Sequence, residues 1–345
     1  MKPGTKILVS LLAAAAMISS SAWAQGGAKE LSGAGATFPA PLYKKWIAEY
    51  QKTEPTTRIQ YAPIGSGDGV KRFLADALDF GASDSAMSDE QIAAAKNGAV
   101  LIPVTAGEIV LAYNLPGLNG DLKLSRELYI AILSGKVSKW NDPRIQAVNP
   151  GLYLPDRNIM LVVRQDSSGT TFALTNHLAT VSQEWRDRGP GVGKVVAWPD
   201  DAMRVRGNEG VATRIKHSLG SIGYIEYGFA KNLGMQVAHL ENKTGYFVAP
   251  GAAGGQAALA NNLGLLPANL RAFIPDPDGA DSYPIVTFSW LLLKERYADP
   301  AKAAVVKRFV AWGLGEGQHY SSDLGYIPLP ADVAGRGKAA LTRIQ

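Results

Sequence analysis

Short apolar runs of strand character alternate along this chain with stretches of helical periodicity, and that alternation restricts the fold more than any other feature. It marks an α/β fold. Leu42, Trp46 and Tyr50 fall at i, i+4 and i+8, which predicts an amphipathic helix over 41–51. Val70, Phe73, Leu74 and Ala77 mark a second helix. Leu174, Leu178, Val181 and Trp185 mark a third, and Val305, Phe309 and Trp312 a fourth. Strand candidates lie between them at 58–62, 80–83, 109–114, 159–163, 223–227 and 285–292. The stretch PDPDGADS at 275–282 reads as a surface loop or chain crossing, and the small residues at 251–255 read as a loop.

The first 24 residues follow a different pattern. Lys2 and Lys6 form a positive region before an apolar run from Ile7 to Ile18, and Ala22-Trp23-Ala24 places small residues at a cleavage position. The run falls short of the roughly 20 residues that a spanning helix needs. It reads as a secretory signal removed after Ala24, leaving a soluble mature chain from Gln25 to Gln345. No cysteine occurs among the 345 residues, which excludes disulfides, thiol catalysis, Cys-ligated zinc, iron–sulfur clusters and a lipid-modified N-terminus. Export without a lipid anchor points to the periplasm. The fold must then be held by its core, for which 46% apolar residues are ample. The length leans towards two domains, at about 100–200 residues per domain. A net charge of +5, dispersed along the chain, provides no footprint for nucleic acid.

One local arrangement occurs three times. Gly33-Ala34-Gly35-Ala36-Thr37-Phe38-Pro39 leads into the first helix, Ile64-Gly65-Ser66-Gly67-Asp68-Gly69 into the second, and Asp166-Ser167-Ser168-Gly169-Thr170-Thr171 into the third. Each sets small residues and a hydroxyl where a helix begins. The free N–H groups of a first helical turn, with the helix dipole, favour an anion there. A capping role explains any one of them; three of like chemistry, one preceded by Arg164, point to an anion site. The P-loop pattern is absent: Ser134-Gly135-Lys136-Val137 lacks the hydroxyl after its lysine. Ser66 and Ser168 lie in no nucleophile-elbow frame. His177, His217, His239 and His319 are scattered without metal-ligand spacing, and the pairs Asp89/Glu90 and Asp200/Asp201 read as solvated caps. No catalytic constellation, metal site or cofactor motif emerges.

These same segments resemble a known family. Ser32 to Pro41 (SGAGATFPAP), Asp79 to Asp84 (DFGASD), Leu133 to Asp142 (LSGKVSKWND), Arg164 to Phe172 (RQDSSGTTF) and Gly223 to Tyr227 (GYIEY) are similar, in order, to segments of the periplasmic phosphate-binding proteins of the bacterial Pst ABC transporter. The resemblance covers nearly all of the mature chain. It implies a type II periplasmic-binding-protein fold, in which two α/β lobes joined by crossing strands close on a ligand. Lobe I would comprise 25–110 and 285–345, and lobe II 111–284, with crossings near 107–113 and 283–288.

The resemblance further implies a non-catalytic monomer without cofactor or metal. It would bind inorganic phosphate, and arsenate too, and deliver it to an inner-membrane ABC permease with its ATPase. Carried over residue by residue, Thr37, Phe38, Ser66, Ser168, Gly169 and Thr170 would supply donors. Arg164 would supply the cation, Asp84 an acceptor, and Asp166 the partner that orients Arg164. Two departures stand out. Ser66 is followed by Gly67-Asp68-Gly69 rather than by a second serine and two glycines, which puts a negative charge near the site. Ser167 stands where the family usually has glycine.

Asp84 is chemically informative. A carboxylate opposes an anion unless the anion carries a proton to give it. Phosphate near neutral pH keeps one P–OH, whereas sulfate keeps none. A helix cap near Met87 is the simpler use of Asp84. A binding protein for another oxyanion, such as sulfate or molybdate, and a secreted phosphatase are the alternative functions.

Overall fold

The computed structural model describes residues 29–262, 264 and 266–345; the expected signal and its cleavage site lie outside them. The chain opens with three β–α steps: β1 (Lys29–Gly35), α1 (Ala40–Thr53), β2 (Thr57–Pro63), α2 (Ser66–Leu74), β3 (Phe80–Ser83) and α3 (Asp89–Ala93). A long strand, β4 (Val100–Tyr113), follows. After it come β5 (Lys123–Leu124), α4 (Arg126–Leu133), α5 (Pro143–Val148), β6 (Met160–Arg164), α6 (Gly169–Val181) and α7 (Gln183–Asp187). Next are β7 (Met203–Val205), α8 (Gly207–Lys216), β8 (Ser221–Glu226) and α9 (Tyr227–Asn232). The short strands β9 (Gln236–Val237), β10 (His239–Glu241) and β11 (Phe247–Val248) precede α10 (Ala252–Ala260). Finally β12 (Val286–Leu293) leads to α11 (Pro300–Gly313) and α12 (Ala331–Ala340).

Nine strands form one sheet in the order β2-β1-β3-β12-β4-β8-β6-β7, with β9 also paired to β4. A second sheet joins β11, β10 and β5. The strand β4 belongs to both halves of the large sheet. Its residues from Val100 to Glu108 pair antiparallel with β12, and those from Ile109 to Tyr113 pair antiparallel with β8. All fourteen of its residues are buried. A strand covered on both faces reads as a near-continuous apolar run rather than an alternation, and VLIPVTAGEIVLAY is one, interrupted by Thr105 and Glu108. The sequence pattern located only its second part, 109–114.

Pro103 lies inside this central strand, where a missing N–H breaks the ladder. The pairing accommodates it by a register shift: Ser289 faces Thr105, while Trp290 faces Pro103. Such irregularities re-aim a side chain near functional sites. Here the side chain at the shift is Ser289, which points at Asp84.

The four expected helices are present. α1 buries Leu42, Tyr43, Trp46 and Tyr50, and Trp46 Nε1 donates to the Gly317 carbonyl at 2.7 Å. Burial of each such side chain contributes on the order of 1.5–3 kcal/mol. The third apolar pattern splits, because Ser182 ends α6 and its hydroxyl caps α7 through Trp185 N–H at 3.1 Å. The stretch 251–255, expected as a loop, instead opens α10. Gly255 serves close packing there: a Cβ would stand 2.4 Å from Ile327 Cδ1. Asp84 caps no helix, since α3 starts at Asp89 and Ser88 is its N-cap. His177 is a core residue between Tyr129 Oη and the Pro275 carbonyl, and burial pushes its pKa down to about 4. Among the described residues, no helix is long and apolar enough to cross a membrane, and no three metal-ligating side chains come together.

Candidate oxyanion site

The three helix starts converge where β4 passes from one half of the sheet to the other. Thr37 and Phe38 follow β1, Ser66 begins α2, and Asp84 follows β3; these belong to the first half. Arg164 ends β6, Ser168 is the N-cap of α6, and Gly169 and Thr170 are its first residues. Thr37, Ser66, Asp84, Arg164, Asp166, Ser168 and Thr170 are all buried polar residues. Hydrogen bonds and close approaches link Thr37 to Thr170 through Asn208, Thr170 to Arg164, Arg164 to Asp166, and Gly169 of α6 to Ser66 and Asp84, so the candidate ligand-binding residues lie together.

The contacts run from one half to the other. Ser66 Oγ donates to Asp84 Oδ2 at 3.3 Å and accepts the Asp84 N–H at 3.2 Å. A Cβ on Gly169 would lie 2.5 Å from Ser66 Oγ and 2.7 Å from Asp84 Cβ, so only glycine allows α6 to meet α2 this closely. Gly65, with φ of +103°, sets the chain into α2 beside Asp166. The Gly67 N–H reaches the Ser167 carbonyl at 2.9 Å. Phe38 packs its ring under Gly107, and its carbonyl accepts from Tyr326 Oη at 2.7 Å.

Arg164 is fixed before anything else is considered. Its Nε donates to Asp166 Oδ1 at 2.8 Å and its Nη2 to Asp166 Oδ2, and both side chains are buried. The Gly207 N–H adds a bond to Asp166 at 2.9 Å. Burial pushes the Asp166 carboxyl up, but Arg164 and the Gly207 N–H outweigh it and hold the pKa below its usual value. The remaining nitrogen, Nη1, points towards Thr170 Oγ1 at 3.3 Å.

Asp84 has the opposite balance. Complete burial pushes its pKa up to about 7, against the lowering effects of Ser289, Arg164, Ser66 and Lys194. Ser289 Oγ donates to Asp84 Oδ1 at 2.8 Å. The site thus combines one acid that titrates near neutrality, a buried guanidinium, four hydroxyls and the first-turn N–H groups of α6, which have no acceptor within the helix. Such a set complements a small anion bearing a proton. A groove of about 1450 Å³ between α1 and α8 reaches only its outer edge, at Thr37, Asp166 and Gly207.

Three residues here belong to no motif found in the sequence. Asn208 is fully buried and bonds Thr37, Thr170 and the Glu226 backbone. Ser289 comes from the far end of the chain. The Lys194 carbonyl accepts the Ser168 N–H at 2.9 Å; burial lowers the pKa of its ammonium while the Asp84 charge raises it.

A family model for a PBP superfamily domain matches residues 20–316. Curated relatives include the phosphate-binding protein PstS of Haemophilus influenzae, 39% identical over 307 residues that cover 89% of this chain and 90% of the relative. That of Xylella fastidiosa is 36% identical over 305 residues, covering 88% and 82%. The chain belongs to the PstS family of phosphate-binding proteins. Its fold is the two-lobed one of that family. A solved phosphate-binding protein from Stenotrophomonas maltophilia superposes with a TM-score of 0.74 at 21% identity, covering 90% of this chain and 93% of the other. The phosphate-bound periplasmic protein PfluDING gives 0.73, also at 21% identity, over 90% and 93%.

Both departures from the family pattern are accommodated. The Asp68 carboxylate is half exposed and lies 3.7 Å from the Arg206 guanidinium, so its charge faces a cation at the rim. Ser167 needs no left-handed backbone, since Asp76 and Leu270 are the only non-glycine residues with positive φ among those described.

Proposed function

We infer that the protein binds inorganic phosphate between its two lobes in the periplasm and delivers it to an inner-membrane ABC permease, without catalysing a reaction. The observation that carries this reading is Asp84: a carboxylate buried among hydrogen-bond donors and facing the Arg164 region, where only a proton-bearing anion satisfies both. Relatives spanning most of the chain are named phosphate-binding proteins, which supports the same ligand. The lobes are taken as 25–110 with 285–345 and 111–284, in keeping with the change of partner along β4 at Glu108 and Ile109.

Phosphate would accept from the Arg164 Nη1 side, from the hydroxyls of Thr37, Ser168 and Thr170, from Ser66 once its hydrogen turns from Asp84 Oδ2 to the ligand, and from the N–H groups of Phe38, Gly169 and Thr170. Its P–OH would donate to Asp84. Asp166 does not touch the ligand; it holds the guanidinium flat towards it. Arsenate carries the same proton and charge and is bound as well. A buried dianion must have nearly every oxygen paired, and donors drawn from both lobes meet that need only when the lobes are together.

The test is a calorimetric titration of phosphate-stripped mature protein. One site for phosphate and for arsenate is expected, with no heat from sulfate. Absence of phosphate binding, or equal binding of sulfate, overturns the reading. Turnover of a chromogenic phosphate ester, with or without a divalent metal, would overturn its non-catalytic part.

A further inference from the structure

Asn208 occupies a position that fixes which way two of the hydroxyls point. Its side-chain oxygen accepts the Glu226 backbone N–H at 3.0 Å, a donor that cannot reverse. The amide orientation is thereby set, and Nδ2 must donate. It donates to Thr37 Oγ1 at 2.9 Å and to Thr170 Oγ1 at 3.2 Å. Thr37 Oγ1 also accepts the Asn208 backbone N–H at 3.1 Å, and Thr170 Oγ1 also accepts from Arg164 Nη1 at 3.3 Å.

A hydroxyl has two lone pairs and one hydrogen. In both threonines the lone pairs are filled, so each has only its O–H left to give. The geometry points to Asn208 as the residue that makes Thr37 and Thr170 obligate donors, and so sets the site's preference for an anion. Asn208 is a positioning residue: it acts on the ligand through the two hydroxyls. It also spans the lobes, since Thr37 lies on the first half of the sheet and Thr170 on the second. The inference rests on the phosphate reading for its ligand, but the polarity of the network stands without it.

The deciding variant is Asn208→Asp, which keeps the shape and the acceptor for Glu226 N–H. Its second oxygen accepts where Nδ2 donated, which draws the threonine hydrogens away from the ligand. Phosphate affinity should fall by about 30-fold or more, in the range for an unpaired buried charge. Thr170→Val should weaken binding about tenfold in the wild-type background. In the Asn208→Asp background the same change should cost less than about twofold, because the donor it removes has already turned away. A purely structural role for Asn208 predicts that the two losses multiply, and that result overturns the inference, as does an Asn208→Asp affinity within about threefold of wild type.

Should the variant fail to fold, nuclear magnetic resonance of the wild type decides. With phosphate bound and the lobes together, both protons of the Asn208 side-chain NH₂ should exchange slowly with solvent. A rapidly exchanging pair contradicts the assigned polarity. Protection that another oxyanion induces and phosphate does not would refute the ligand and leave the network standing.

Discussion

At the scale of single residues, Arg164 and Asp166 act as a unit. Arg164→Ala removes charge-assisted donors from a buried dianion, which costs about 2–5 kcal/mol, or roughly 30-fold and upwards in phosphate affinity. It also strands Asp166 without a counter-charge, so the melting temperature should drop. Arg164→Ala/Asp166→Ala should recover much of the melting temperature and none of the affinity; a double variant that binds phosphate within about threefold of wild type would place Arg164 outside the site. Asp84 carries a separate prediction. Asp84→Asn removes the like charge that opposes sulfate and offers an amide that can donate or accept. Sulfate affinity should rise while phosphate loses modestly, narrowing their ratio about tenfold or more; an unchanged ratio would leave Asp84 without a part in selectivity. Its protonation adds a pH signature. The folded pKa, about 7, lies above the unfolded value of 3.8, so the folded form holds the proton more tightly between them. The stability of the closed, phosphate-free form should therefore fall as pH rises through that window, and urea titrations of Asp84→Asn should show a shallower decline. The residues to which these roles are assigned could be singled out in the sequence because they sit in continuous motifs. Asn208, Ser289 and Lys194 were not, since each is a single polar residue whose part depends on contacts made 18 or more positions away or by its backbone.

At the scale of elements, the helix starts are what the sequence showed best and what the fold uses most. Each combines small residues with a hydroxyl, and the reason for the small residues becomes visible only when α6 approaches α2. Gly169→Ala puts a methyl group into Ser66 Oγ and Asp84 Cβ. Because the clash lies between lobes, each lobe should still fold. Phosphate affinity should fall about tenfold or more with the unliganded melting temperature changed little; an unaffected affinity would show that α6 and α2 do not meet this closely in the bound protein. Two elements were misread for identifiable reasons. The chain at 251–255 looked like a loop because glycine is a poor helix former, but tertiary packing against Ile327 selects glycine within α10. The front of β4 was missed because Pro103 argues against a central strand, and the register shift opposite it in β12 was not visible in one segment alone.

At the scale of the molecule, a chain without cysteine is held by a buried sheet that both lobes share through β4. The lobe arrangement could be anticipated only from the resemblance of the motifs, because α/β alternation does not reveal which strands neighbour one another. Hydrogen bonds cross between the lobes from the Gly67 N–H to the Ser167 carbonyl and from Asn208 Nδ2 to Thr37 Oγ1, and the proposed binding requires the lobes to come together in this way. Small-angle X-ray scattering of phosphate-stripped mature protein tests this most directly. Adding phosphate should reduce the radius of gyration with saturation at one equivalent, and sulfate at the same concentration should leave the curve unchanged. Identical scattering with and without bound phosphate, or equal compaction by sulfate, would contradict a cleft that closes on a proton-bearing oxyanion.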